Sequence, residues 1–355
     1  MTASKALIIN GNLESSNSPV EGWYLETLDG LFFAVKGSEH PPDRWIGVLR
    51  YAPDENNGDR RKNGMGYRRL YHFTEQEQWI LKHNPQYLAY DSVFQATLQS
   101  VPISSIRQVY NPVLRVRERM RTAAGHAVED DALDFLNLLQ LQAEVPRSCL
   151  GVTGSLLIGL HTKDSDLDMV VFGKRSCRKV YKALHRMMDS DSVPEVARLD
   201  ARGIEELYAQ RVADTSMRYD DFVRLEKRKV NQGRYRKRPY FIRFVEAPFE
   251  AESRYGQRRY AALGRATIAA SIADDRYGIF TPCRYLLSDV RGLEGPVPDD
   301  LNEMVSFRGR FCEQACIGEA VVASGVLERV REGRKVHHRL LLGNFPEDTF
   351  VVKAH

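Results

Sequence analysis

Apolar and polar residues alternate from about residue 20 to 55, as in WYLETLDGLFFAVKG and RWIGVLRYAP, with glycine and proline as punctuation. A period of two marks strands with one covered face, so a small β unit is expected to open the chain. The polar, glycine-rich stretch DENNGDRRKNGMG after it reads as a mobile loop. Residues 67–110 mix short strand and turn signals without a clear order. At PVLRVRERMRTA the pattern becomes a basic amphipathic stretch, and EDDALDFLNLLQL then places apolar residues at helical spacing behind an acidic first turn. A short apolar strand, CLGV, follows, then a basic amphipathic helix from about Ser176 to Met188. A helical region from IEELYAQR through DDFVRLEKRKV leads to the strand Tyr240–Glu246. From about Ala262 the period of two returns in ATIAASIADD, GIFTPCRYLLSDV, MVSFRGRFC, AVVASGVLERV, HHRLLLGN and TFVVK, which predicts a C-terminal β-barrel or sandwich. The changes of period divide the chain into a β-rich unit over 1–125, a mixed unit over 126–258 and a second β-rich unit over 259–355.

Composition narrows the class. The chain has 355 residues, 43% hydrophobic and 28% charged, enough to bury a sizeable core. No stretch approaches the roughly 20 apolar residues of a membrane span, and the single short apolar run near the N-terminus is too brief for a secretory core. No membrane partner is therefore expected, and the cytoplasm is the expected location. The five cysteines form no regular framework, so reduced thiols are expected. Cys312 and Cys316 stand one helical turn apart and His337 and His338 follow, which permits a zinc site on paper. The spacing is loose, however, and adjacent histidines point to opposite faces of a strand, so ordinary buried thiols are the better reading.

The segment GVTGSLLIGLHTKDSDLDMVVF, residues 151–172, holds the candidate chemistry. Asp164, Asp166 and Asp168 alternate as in a calcium loop, but the sixth loop position is Met169 where glycine is needed and the twelfth is Arg175 where glutamate is needed. An Asx-rich turn accounts for Asp164 and Ser165 but not for Asp168, which lies where a strand is already running. In a strand, Asp166 and Asp168 project side by side, an arrangement that costs stability until a hard cation neutralises it. Upstream, Gly154-Ser155 begins a short helix and offers a hydroxyl and backbone N–H groups to an anion, while Gly159 lets that helix end or pack tightly. A phosphate cradle beside a metal-binding carboxylate pair is the equipment of phosphoryl or nucleotidyl transfer.

Gly154-Ser155, Gly159 and the run Ser165-Asp166-Leu167-Asp168-Met169-Val170 together resemble the glycine–serine plus Asp-x-Asp signature of the DNA polymerase β-like nucleotidyltransferase superfamily, over about residues 130–250. The resemblance implies an α+β fold class, with a palm-like nucleotidyltransferase domain on a mixed sheet between the two β-rich units. It also implies a Mg²⁺-bound nucleoside triphosphate, ATP or another NTP, whose nucleotidyl group, AMP first among them, passes to a hydroxyl with release of pyrophosphate. By that likeness Asp166 and Asp168 hold the metals, and Gly154 and Ser155 contact the triphosphate. Such enzymes carry a third carboxylate on a later strand. The expected place is YFIRFVE, where Tyr240, Ile242, Phe244 and Glu246 share one face and Arg243 the other, which makes Glu246 the candidate third catalytic and metal-binding acid.

The net charge of +4 is too small to imply a polyanionic partner, but its distribution is uneven. From Arg224 to Arg243, nine lysines and arginines face one acid, Glu226. Lying directly before the third catalytic strand, the run is expected to grip triphosphate or nucleic-acid phosphates, with Lys229, Arg234 and Arg243 as the nucleotide-binding choices. RNA is then the favoured acceptor. The alternatives are a protein or small-molecule acceptor, or a noncatalytic nucleotide- or RNA-binding protein. No pattern sets an oligomeric state.

Overall fold

The computed structural model describes residues 18–119, 127–190, 193–212 and 217–353. Its N-terminal unit is an antiparallel sheet of β1 (Tyr24–Thr27), β2 (Phe32–Val35), β3 (Arg44–Pro53), β4 (Arg60–Lys62), β5 (Met65–Arg69), β6 (Leu88–Asp91), β7 (Ala96–Pro102) and β8 (Ile106–Tyr110), with helix α1 (Phe73–His83) alongside. Leu25, Phe33, Val35, Leu49, Ile80 and Tyr87 form its core. The register between β2 and β3 pairs Phe32 with Tyr51 but Phe33 with Leu49, so Arg50 is the extra residue of a β-bulge.

The stretch expected to be a mobile loop is instead the β4–β5 hairpin. Lys62 pairs with Met65 across Asn63 and Gly64, which have φ of 51° and 84°. Two successive positive φ values make the two-residue turn whose twist suits a hairpin, and Asn-Gly is its preferred sequence.

The middle unit contains α2 (Pro112–Arg119), α3 (Ala127–Ala143), β9 (Leu150–Val152), α4 (Gly154–Ile158), β10 (Leu167–Phe172), α5 (Lys174–Asp189), β11 (Val196–Ala197), α6 (Ala201–Arg211), α7 (Tyr219–Glu226), β12 (Gln232–Tyr235) and β13 (Arg238–Val245). Its sheet runs β11-β12-β13-β10-β9, with β10 parallel to β13 and antiparallel to β9. One face, carrying Met169, Val171, Ile242 and Phe244, packs on Phe135 and Leu139 of α3 and on Cys177 and Leu184 of α5. The other face carries Asp168, Val170, Phe241, Arg243 and Val245. Val170 and Val245 join the core of the N-terminal unit, which therefore lies across the carboxylate side of this sheet. Burial on both faces explains why β10 and β13 read as nearly continuous apolar runs.

The C-terminal unit comprises β14 (Arg258–Tyr277), β15 (Cys283–Glu294), β16 (Leu301–Ser306), β17 (Ala320–Glu332), β18 (Lys335–Leu342) and β19 (Thr349–Val352). The order β14-β15-β16-β18-β17 closes on itself through β14 and β17, with β16 and β18 the parallel pair. The ring is a small barrel filled by Ile268, Tyr285, Met304, Leu327, Leu340 and Phe350. Several hydrogen bonds and ion pairs fasten it to the middle unit. Thr281 N donates to Phe244 O at 2.8 Å. Buried Glu313 accepts from Val230 N at 2.9 Å, Asn231 N at 3.1 Å and Tyr181 Oη at 3.0 Å, and burial pushes its carboxyl up to about 7. Among the described residues, no helix is long and apolar enough to cross a membrane.

Candidate active site

β9 ends at Val152, and Gly154 turns the chain into α4 with φ +61°. A Cβ at Gly154 would overlap the Asp168 carboxylate, so only glycine lets the turn lie against β10. α4 has a single turn and stops at Gly159, whose φ of 71° makes the left-handed cap that ends a helix. Its Leu157 and Ile158, with Leu160, pack against Tyr24, Phe32, Tyr51 and Tyr67 of the N-terminal sheet, and Ser155, next in chain to the Gly154 that touches Asp168, is buried.

Asp166 immediately precedes β10 and Asp168 lies within it, and both project to the same side. Asp166 is exposed and Asp168 half-buried. Desolvation, then the like charge of Asp168, pushes the Asp166 carboxyl up to about 6, against the pull of Arg69 and Arg60. Asp168 is also raised by desolvation, opposed by Arg69, Arg243 and Arg50. Each of the two carboxyls is therefore held above the usual carboxylate range, the expected state of a hard-cation site considered without its cation. Two adjacent carboxylates are oxygen donors suited to Mg²⁺.

Three of the four arginines come from the N-terminal sheet and were not anticipated. Arg69 on β5 stands opposite Tyr51 on β3. Its guanidinium lies 4.7 Å from the Tyr71 ring centroid, and its Nε is buried with no hydrogen-bond partner. Arg50 projects from the β3 bulge. Arg60 on β4 donates from Nη1 to Thr162 Oγ1 at 3.1 Å and to Ser165 Oγ at 3.2 Å, tying the hairpin to the loop that leads into Asp166. Buried Tyr24 and Tyr51 complete this wall, and desolvation raises both phenols. The Asn63-Gly64 dipeptide was the sequence signal for the hairpin, and with it for Arg60 and Arg69 converging on one place.

The remaining expected residues scatter. Arg243 shares the face of Asp168 but donates from Nη1 to Glu21 Oε1 at 3.0 Å, and Glu21 also holds Lys36 Nζ at 3.0 Å. Arg234 lies on the same face, two strands from Asp168, with its Nη2 3.7 Å from Asp200 Oδ1 and its Nε buried without a hydrogen-bond partner. Lys229 is not at the site. It is buried, donating to Glu226 Oε1 at 2.7 Å and to Arg310 O at 2.8 Å.

Glu246 is not there either. The parallel register pairs Asp168 with Phe241 and Phe172 with Val245, so Glu246 stands past the far end of β10 and on the opposite face. It pairs with Lys174 Nζ at 3.3 Å. Phe241 occupies the strand position beside Asp168, with Arg243 next along the same face opposite Val170. Among the described residues, no group of three or more His, Cys, Asp and Glu side chains is placed to hold a metal. That also covers the zinc arrangement: Cys312 is buried and Cys316 exposed, and His338 Nδ1 lies 2.6 Å from Asp300 Oδ1.

A glycine that admits a carboxylate to a one-turn helix, paired aspartates on a mixed sheet and a cationic wall make a candidate nucleotidyltransferase site. Residues 138–237 match the family model described as nucleotidyltransferase domain, and the chain carries that domain of the polymerase β-like superfamily, which makes it a nucleotidyltransferase. The chain is also similar, at 28% identity over 333 residues, to the "Uncharacterized protein MJ1086" of Methanocaldococcus jannaschii, spanning 91% of this chain and 95% of that one. No solved structure matches the chain significantly. An NTP substrate follows from the domain.

Proposed function

We propose that the protein transfers a nucleotidyl group from an NTP to a hydroxyl acceptor, with Mg²⁺ as the metal and RNA as the acceptor class. The observation that carries the reading is the contact of Gly154 with Asp168, which brings Ser155 and both carboxylates onto one small surface under Arg50, Arg60 and Arg69. Asp166 and Asp168 would hold Mg²⁺, which supplies charge neutralisation at the triphosphate and draws electrons from the reacting phosphorus. The Ser155 hydroxyl donates to a phosphate oxygen, and the Arg69 guanidinium, with its spare Nε–H, offsets phosphate charge. In the step itself the acceptor oxygen bonds to the α-phosphorus, the bond to the bridging oxygen of pyrophosphate breaks, and the acceptor proton leaves. With Phe241 beside Asp168 and Arg243 next along the same face, that proton passes to water and not to a third carboxylate of the sheet.

A protein or small-molecule acceptor is the second reading. It is favoured by the Arg224–Arg243 run, where Arg228, Lys229, Arg236, Arg238 and Arg243 all meet carboxylates of the same chain and leave little free charge for a polyanion. The test is incubation of the pure protein with each α-labelled triphosphate, ATP first, in Mg²⁺ with separate RNA and protein fractions. Label on RNA supports the proposal, label on protein or a small molecule supports the second reading, and triphosphate binding without transfer to any fraction overturns both.

A further inference from the structure

The outer face of the ribbon made by β14, β17 and β18 carries a charge arrangement found nowhere else in the described chain. Arg259 on β14 pairs directly with Arg331 on β17, and two residues along, Ala261 pairs with Arg329. The same register continues onto β18, where Val336 faces Arg331 and His338 faces Arg329. Arg259, Arg329 and Arg331 therefore project from one face, all exposed. Arg334, at the β17–β18 turn, is exposed as well, while Lys335 pairs with Glu332 and so stands on the other face of the ribbon. Like charges directly opposite in a sheet destabilise it; Asp300 meets His338 on this face at 2.6 Å, but none of the four arginines has an ion pair among the described residues.

The arginines of the opposite ribbon face behave differently. Arg258 binds Glu332 at 3.0 Å and Arg339 binds Glu328 at 2.8 Å, beside Tyr260 and Val330 where the ribbon packs on Val93 of the N-terminal unit. Only the solvent side is left with uncompensated charge. Val336, 44% exposed, and Leu263, 40% exposed, add apolar surface along the same row.

We propose that this face is a docking surface for single-stranded RNA, gripped through its phosphates. Guanidiniums in a line suit a phosphate backbone, since each presents a planar fork of donors and can also stack on a base. The barrel's connectivity supports the choice without carrying it. A closed ring of five strands in which the third and fifth are parallel is the order of the Greek-key barrel whose loop between its fourth and fifth strands contacts oligonucleotides, and here that loop bears Arg334 and Lys335. The identity of the RNA as acceptor rests on the transfer reading above, whereas the docking itself does not.

The experiment is a salt titration of a labelled single-stranded RNA against the full chain in EDTA, where no transfer occurs. The parent is compared with the combined variant Arg259→Gln, Arg329→Gln, Arg331→Gln, and with Lys227→Gln, Lys237→Gln as a control of similar exposure. The first variant is expected to flatten the log–log salt slope by about two units, since each phosphate no longer neutralised lowers it by roughly 0.7, and to weaken binding about tenfold or more at low salt. Its melting temperature should not fall, because the substitutions relieve like-charge opposition, and the control should match the parent. An unchanged slope overturns the proposal. So does arginine-dependent binding to anionic lipid vesicles without binding to RNA. RNA binding that persists in a chain that labels no acceptor would sink the transfer reading and leave this surface standing.

Discussion

Two arginine-rich regions of this chain make opposite use of their charge. The run from Arg224 to Arg243 is dense in sequence, yet the structure binds most of it internally. Arg224 meets Asp221, Arg228 meets Glu319, Lys229 meets Glu226, Arg236 meets Asp131 and Asp134, Arg238 meets Asp131, and Arg243 meets Glu21. Most of those acids lie far away in the chain, where a linear reading does not see them. Arg50, Arg60 and Arg69 are inconspicuous in sequence, but a bulge and a two-residue turn aim them at two carboxylates, where Arg243 alone of the dense run joins them. The electric field belongs to the folded neighbourhood, and the density of a run says little about it.

The sharpest test of that contrast removes the centre of the field. Asp168→Asn should lower metal-dependent transfer on the order of a thousandfold or more, because a metal charge is lost at the reacting phosphates. Melting in EDTA should be no lower than in the parent, since desolvation outweighs the arginines' attraction for the Asp168 carboxylate. A destabilised variant would mean that the aspartate serves the arginines as a structural counter-charge.

Lys229→Met should act through stability. Breaking a buried pair costs about 3 kcal/mol even with Arg211 still 3.2 Å from Glu226, so the melting temperature should drop clearly while the KM for NTP of the remaining folded protein stays put. A change in KM without loss of stability would return Lys229 to the nucleotide. Arg69→Gln should do the reverse, raising KM for NTP roughly ten- to hundredfold by loss of a charged hydrogen bond, with Mn²⁺ affinity retained, whereas Arg236→Gln should leave KM nearly unchanged. Equal effects of the two substitutions would erase the distinction between the regions.

The smallest effect is one of pH. The folded carboxyl of Asp166 lies near 6 and its ordinary value is 3.8. An acid raised on folding costs stability once ionised, so the penalty is absent below about pH 4, grows to about pH 6 and is constant above. In EDTA, the melting temperature of Asp166→Asn relative to the parent should climb over that interval. Added Mg²⁺ should reverse the order at neutral pH. A flat difference would show that solvent already relieves the exposed carboxyl.

Much of the candidate site was legible because it is local. Gly154, Ser155, Asp166 and Asp168 fall within fifteen positions, and a turn, one helical turn and a strand bring them together without long-range information. Helices α3 and α5 and strands β9, β10 and β13 were equally visible in their periods. The third acid was misplaced for a reason of parity. Alternation along YFIRFVE identifies two faces but not which one meets the aspartates, and the apolar set Tyr240, Ile242 and Phe244 belongs against α3 and α5. The face with the charged Arg243 was the one toward the site. The N-terminal arginines were invisible for a different reason: their position depends on sheet packing between units far apart in sequence.

The Glu21–Arg243 ion pair joins positions 222 residues apart. During synthesis the N-terminal sheet leaves the ribosome with Glu21 lacking its arginine and with an apolar face that Val170, Phe172 and Val245 of the middle unit will cover. Its final docking therefore waits until most of the middle unit has been translated. An expression fragment cut after Tyr110 would present that uncovered face permanently and should be prone to self-association, so the roof of this site is not a part to be produced separately from its floor.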